Sequence, residues 1–89
     1  MPQCIVARLS PLSCEIGEIR RSHRHPYDEI QFIREGRGVW KVSGKTFEGR
    51  PGDIFVIKAG EIHSFTAVGD SPLIQFDVHL SSRFIQENV

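Results

Sequence analysis

The chain has no excess of charge of either sign: 11 Lys and Arg balance 11 Asp and Glu over 89 residues. That neutrality argues against nucleic acid or an anionic membrane as the main partner. Long apolar runs are also missing. None exceeds four residues, Ile54 to Ile57 among them, far short of the roughly 20 residues that cross a bilayer. The beginning of the chain lacks the apolar centre of a signal peptide, so a cytoplasmic protein is expected. Cysteine is scarce, with only Cys4 and Cys14 and no CxxC spacing. The two either bridge adjacent strands or remain thiols, and thiols are expected in a reducing compartment. Gly36-Arg37-Gly38 is not a dinucleotide fingerprint, because Lys41 stands where the third glycine belongs and no helical pattern follows. No serine or cysteine has a triad-like setting, and no repeat or low-complexity tract is present.

What remains is a succession of short strand-like segments separated by Gly and Pro turns. Gln3–Leu9, Ser13–Arg21, Asp28–Arg34, Arg37–Ser43, Ile54–Ile57, Ile62–Val68 and Leu73–Leu80 all read as strands. Pro11 is expected to break the first from the second. Glu35-Gly36 and Ser43-Gly44 read as hairpin turns, and Arg50-Pro51-Gly52-Asp53 as a further turn. Ile54–Ile57 is apolar at consecutive positions, which predicts a strand covered on both faces. In Leu73–Leu80, Ile74, Phe76, Val78 and Leu80 share one face and Gln75, Asp77 and His79 the other. The pattern predicts an all-β sandwich or barrel, with residues 1–89 as a single domain. Ser81 or Ser82 is placed to cap a short C-terminal helix. The chain stops where such a helix would start, either as a natural end or as a longer protein cut after its β part. A domain of this size buries only about 60–65% of its unfolded surface, so a homodimer is an expected supplement.

His23 and His25 lie one residue apart, and in a strand residues i and i+2 point to one side. Glu29 follows, and His63 closes the later run Gly52–His63. Together they would form a site of three imidazoles and one carboxylate for one divalent transition metal: Mn, Fe, Ni, Cu or Zn. Strand parity adds a pocket wall. Gln31 and Ile33 share the face of Glu29, a two- or four-residue hairpin carries Trp40 and Val42 onto it, and the Ser43-Gly44 hairpin adds Phe47. Arg21 shares parity with His23 and is placed to grip a ligand carboxylate. Ile30 and Phe32 point the other way, under a second layer or as an apolar patch that invites a dimer. His79 reads as an ordinary strand residue.

The spacing of Gly17, His23, His25, Glu29 and Gly36 resembles the first motif of the cupin superfamily. Gly52, Gly60 and His63 resemble the second, with Lys58 and Ala67 where that motif has proline and asparagine. The resemblance implies a small jelly-roll β-barrel (a double-stranded β-helix) with a metal between its sheets. The segment from His23 to Phe65 and the tail from Leu73 also look like the amino-terminal cupin domain of AraC-type transcription regulators. This implies a sensor of a small polar molecule, such as a sugar or carboxylate, without DNA-binding helices in this chain. The alternative is a stand-alone metal-dependent cupin enzyme, a dioxygenase or isomerase of a small polar substrate.

Overall fold

A computed structural model describes residues 7–89. The strands are β1 (Arg8–Cys14), β2 (Ile19–Arg24), β3 (Glu29–Glu35), β4 (Arg37–Val42), β5 (Lys45–Gly49), β6 (Ile54–Ile57), β7 (His63–Val68), β8 (Leu73–His79) and β9 (Glu87–Asn88). They form two antiparallel sheets, one in the order β1-β8-β3-β6 and one in the order β5-β4-β7-β2-β9. The sheets face each other as an all-β sandwich, as the residue pattern led us to expect, in the jelly-roll arrangement that the resemblance implied. No helix long and apolar enough to cross a membrane occurs among the described residues.

Several local expectations are corrected. Pro11 does not end a strand; it sits inside β1, on the edge of its sheet. An edge strand has one row of amides without ladder partners, so a residue lacking N–H fits there. Cys4 lies outside the described residues, as does most of the first expected strand. The C-terminal segment forms no helix: Glu87–Asn88 pairs with β2 instead. Ile54–Ile57 is covered on one face only, since Ile54 is 61% and Val56 55% exposed.

The turn at Glu35-Gly36 is not a hairpin. β3 and β4 belong to different sheets, so the chain there crosses the sandwich. Gly36 adopts φ 77°, and a Cβ on it would collide with the Pro72 carbonyl oxygen. Both the backbone conformation and the close approach require glycine. Ser43-Gly44 is the hairpin that the sequence predicts. Both residues have positive φ, 49° and 81°, as a two-residue turn between twisted strands demands.

The interior is divided along the strands. At one end Cys14, Ile33, Trp40, Phe65, Ala67 and Leu73 form the apolar core, with Leu12, Val42, Phe47 and Phe55 packed on it. At the other end the buried side chains are polar: His25, Glu29, Gln31, His63, Asp77 and His79. Burying such groups without partners costs stability, so what each of them meets at this end of the sandwich matters.

Candidate metal centre

Four side chains reach the polar end from strand termini. His23 lies at the end of β2 and His25 just beyond it, Glu29 opens β3, and His63 opens β7. Backbone bonds hold these segments together. The Gly60 N–H donates to the His25 carbonyl at 2.8 Å, tying the loop before His63 to the loop after His23. One donor atom from each of the four residues lies within 4.8 Å of all the others.

Each imidazole is fixed by its own backbone bond. His23 Nδ1 meets the Arg21 carbonyl at 2.7 Å, His25 Nδ1 the Ile85 carbonyl at 2.7 Å, and His63 Nδ1 the Glu61 carbonyl at 3.0 Å. A carbonyl only accepts, so each Nδ1 carries the proton, and a neutral ring then presents a lone pair at Nε2. Glu29 Oε1 lies 3.3 Å from both His25 Nε2 and His63 Nε2. Glu29 Oε1 and His63 Nε2 are buried without a hydrogen-bond partner among the described residues. Buried polar atoms left unpaired are rare. A converging set of acceptors is satisfied by a cation, and three nitrogens with one oxygen suit a first-row transition metal.

The other carboxylate oxygen is held from behind. Gln31 Nε2 donates to Glu29 Oε2 at 3.1 Å, and Trp40 Nε1–H donates to Gln31 Oε1 at 2.7 Å. The indole can only donate, so it fixes the amide with its NH2 toward Glu29. Replacing Gln31 by leucine is expected to weaken metal affinity about 10- to 100-fold, read by competition with a chelator. An unchanged affinity would show that the amide does not orient the carboxylate.

The electrostatics follow from burial and from Glu29. Burial opposes the charge on Glu29, but the nearby His63 ring and the Gln31 bond outweigh it and hold the carboxyl below its ordinary value. His63 is raised: burial works against its charge, and the Glu29 and Glu61 contacts overcome it. His23 and His79 are lowered, chiefly by burial. Asp77 is pushed up to about 7 by burial and by the charge of Glu29.

A cavity of about 200 Å³ opens beside these groups, lined by His23, His25, Glu29, Gln31, Asp77 and His79 together with Ser10, Pro11, Leu12, Arg20, Phe65, Phe84 and Gln86. An apolar cavity of about 150 Å³ holds benzene, so one ring with a polar substituent is the scale of ligand that fits. Of the expected pocket wall, only Gln31 lines this cavity. Ile33, Trp40, Val42 and Phe47 belong to the apolar end, where Trp40 stacks on Phe65 with ring centroids 5.2 Å apart. The hairpin assumed between β3 and β4 placed them correctly inside but could not say how far along the barrel.

Arg21 is also corrected. It is exposed, while Arg20 lines the cavity. The β2–β7 register shifts between Arg20 and His23, so one extra residue reverses the parity there. Arg20 donates from Nε to Cys14 Sγ at 3.4 Å and pairs with Glu18 at 3.3 Å.

Sequence reasoning missed the β8 contribution. His79 is buried, its Nε2 lies 3.7 Å from Glu29 Oε2, and Tyr27 Oη meets its Nδ1 at 2.9 Å. The alternation of β8 was visible, but nothing local says that its polar face is the inner one. Phe84, in the segment after β8, closes over the site with its ring 5.7 Å from His25 and 5.5 Å from His79.

The family model for the cupin domain matches residues 13–79. The chain is 35% identical over 63 residues to 5-nitrosalicylic acid 1,2-dioxygenase of a Bradyrhizobium species, covering 71% of this chain and 30% of that enzyme. It is 34% identical over 61 residues to gentisate 1,2-dioxygenase of a Streptomyces species, covering 67% and 17%. The matches thus span less than a third of either enzyme. A double-stranded β-helix protein from Klebsiella pneumoniae superposes with a TM-score of 0.85 at 20% identity, over 92% of this chain and 73% of that one. These relatives lend no support to the AraC-type resemblance.

Proposed function

The chain belongs to the cupin family, and on that premise we propose that it is a metal-dependent enzyme, a dioxygenase acting on a small carboxylic acid. His23, His25, Glu29 and His63 hold a divalent first-row transition metal, and Arg20 grips the acid group. The observation that carries this reading is the set of three Nδ1-anchored imidazoles turned toward an unpartnered Glu29 Oε1. The two dioxygenase relatives support the reaction class. One of them is named for 5-nitrosalicylic acid, a carboxylic acid on a ring of the size this cavity takes.

When bound, the metal supplies Lewis acidity to a substrate oxygen. The residues around it do the rest. Gln31 and Trp40 hold the Glu29 carboxylate in one orientation. Arg20 keeps donors free beyond its Cys14 and Glu18 contacts and turns them to the substrate's carboxylate. Phe65 and Phe84 cover the ring and exclude water.

The test is elemental analysis of untagged protein, followed by oxygen uptake with a panel of salicylate, gentisate and simple hydroxy acids. About one metal per chain and uptake on an aromatic acid are expected. Arg20→Gln is then expected to raise KM about 10- to 100-fold with kcat little changed. Failure to bind metal at neutral pH overturns the reading, and so does metal-loaded protein that consumes no oxygen with any acid in the panel.

A further inference from the structure

We propose that residues 81–89 form a strap that opens and closes over the cavity, and that in its closed state the Ile85 backbone positions the metal-binding rings. Ile85 thereby joins the metal centre proposed above, on which its role rests.

The strap joins the two sheets across the polar end. It leaves β8 of the four-stranded sheet and ends as β9 on β2 of the five-stranded one. On the way Phe84 and Gln86 line the cavity. A second hollow, lined by Arg24, Pro26, Gly60, Ile85 and Glu87, shares His25 and Gln86 with it. The strap is therefore a partition. Lifted, it merges the two hollows and opens His25 to solvent.

Ile85 meets the site through its main chain. Its carbonyl accepts the His25 Nδ1 proton at 2.7 Å, and its N–H donates to Tyr27 Oη at 3.3 Å. Tyr27 Oη in turn meets His79 Nδ1 at 2.9 Å, and His79 Nε2 lies 3.7 Å from Glu29 Oε2. One residue thus sets the tautomer of one ligand and, through Tyr27 and His79, braces the carboxylate of another. His23 and His63 take the matching bond from carbonyls two residues away, those of Arg21 and Glu61. Of the three rings, His25 alone depends for it on a distant segment, 60 residues on.

Apart from the Ile85 bonds, the strap is held near its ends. Arg8 Nε donates to the Ser82 carbonyl at 2.8 Å. At the far end Arg24 makes two bonds to the Glu87 carboxylate, at 2.7 and 3.1 Å, and the Val89 N–H donates to the Ser22 carbonyl at 3.1 Å. β9 is two residues long, and every residue from Ser82 onward is exposed. A segment that buries so little opens at a small part of the cost of unfolding the sandwich. Opening takes the carbonyl from His25, so bound metal and a closed strap stabilise each other.

Zinc is the probe, since it takes imidazole and carboxylate ligands. Its release from the full chain to excess chromogenic chelator is followed for wild type, Glu87→Arg, and Arg24→Glu combined with Glu87→Arg. Glu87→Arg sets like charges at the latch and should release zinc ~3- to 10-fold faster. The double exchange restores an opposite pair and should return the rate to within about twofold of wild type. Glu48→Arg, which breaks the exposed pairs with Arg37 and Arg50 on other strands, should release zinc as wild type does. Hydrogen exchange reads the same coupling in reverse: zinc should slow exchange of the Ile85 and Val89 amides. Release unchanged in Glu87→Arg, or strap exchange that zinc leaves unaltered, overturns the role of the strap and leaves the metal centre standing. A wild type that takes up no zinc overturns both.

Discussion

Replacing His63 by alanine is expected to lower bound metal from about one ion per chain to less than a tenth of that after dialysis, measured by elemental analysis. His63 supplies a buried nitrogen with no other partner, and its ring lies 4.1 Å from that of His23. The remaining His23, His25 and Glu29 come from one sequence segment, whereas His63 closes the site from β7. Retention of a full metal equivalent by the variant would refute the four-residue site.

The same residue sets the pH dependence. Ligation needs a neutral ring, so protons compete with the metal. Glu29 raises His63 above the ordinary 6.5, so affinity is expected to climb with pH through a window that begins near 6.5 and extends above it. His23 is lowered by burial and adds competition only at more acid pH. The metal-free protein should show the opposite trend from this one group. The raised His63 contributes stability that is fully present below 6.5 and lost as pH rises through its folded value. Glu29 is depressed, so its contribution is present above 4.5 and lost as pH falls through its folded value. Thermal melts with and without chelator from pH 5 to 9 read both trends. A metal-induced shift that does not grow with pH would contradict the role of His63.

Trp40→Ala is expected to cost about 3–5 kcal/mol, a large share of the stability of a domain this small. The indole is fully buried and contacts Phe47, Phe55 and Phe65, with the Phe55 centroid at 5.0 Å. Urea titration should show the variant largely unfolded or with a much lower midpoint. Trp40→Phe separates packing from hydrogen bonding. It keeps a ring in the core but removes the donor to Gln31, so it should fold and bind metal more weakly. A Trp40→Phe protein with wild-type metal affinity would confine Trp40 to the core.

The two hairpin residues Ser43 and Gly44, the strand-rich pattern and the cluster of His23, His25, Glu29 and His63 were all readable in the chain. Their signals are local: turn chemistry, period-two alternation, and ligand types at strand spacing. The failures share a cause in long-range pairing. A residue inserted in β2 relative to β7 moved Arg20 inward and Arg21 out. A sheet crossing at Gly36 replaced the assumed hairpin and left Ile33, Trp40, Val42 and Phe47 in the core, away from the cavity.

By itself, then, the sequence determined the strands from Glu29 to His79 and which four side chains are fit to hold a metal, because propensity and spacing act along the chain. It misplaced the expected Ser13–Arg21 strand, which a turn splits between β1 and β2, and the C-terminal pairing of β9. The tertiary structure decided which face of β8 is inside. That choice depends on what packs opposite, and it brought Asp77 and His79 to the site and left Phe76 and Val78 on the outside.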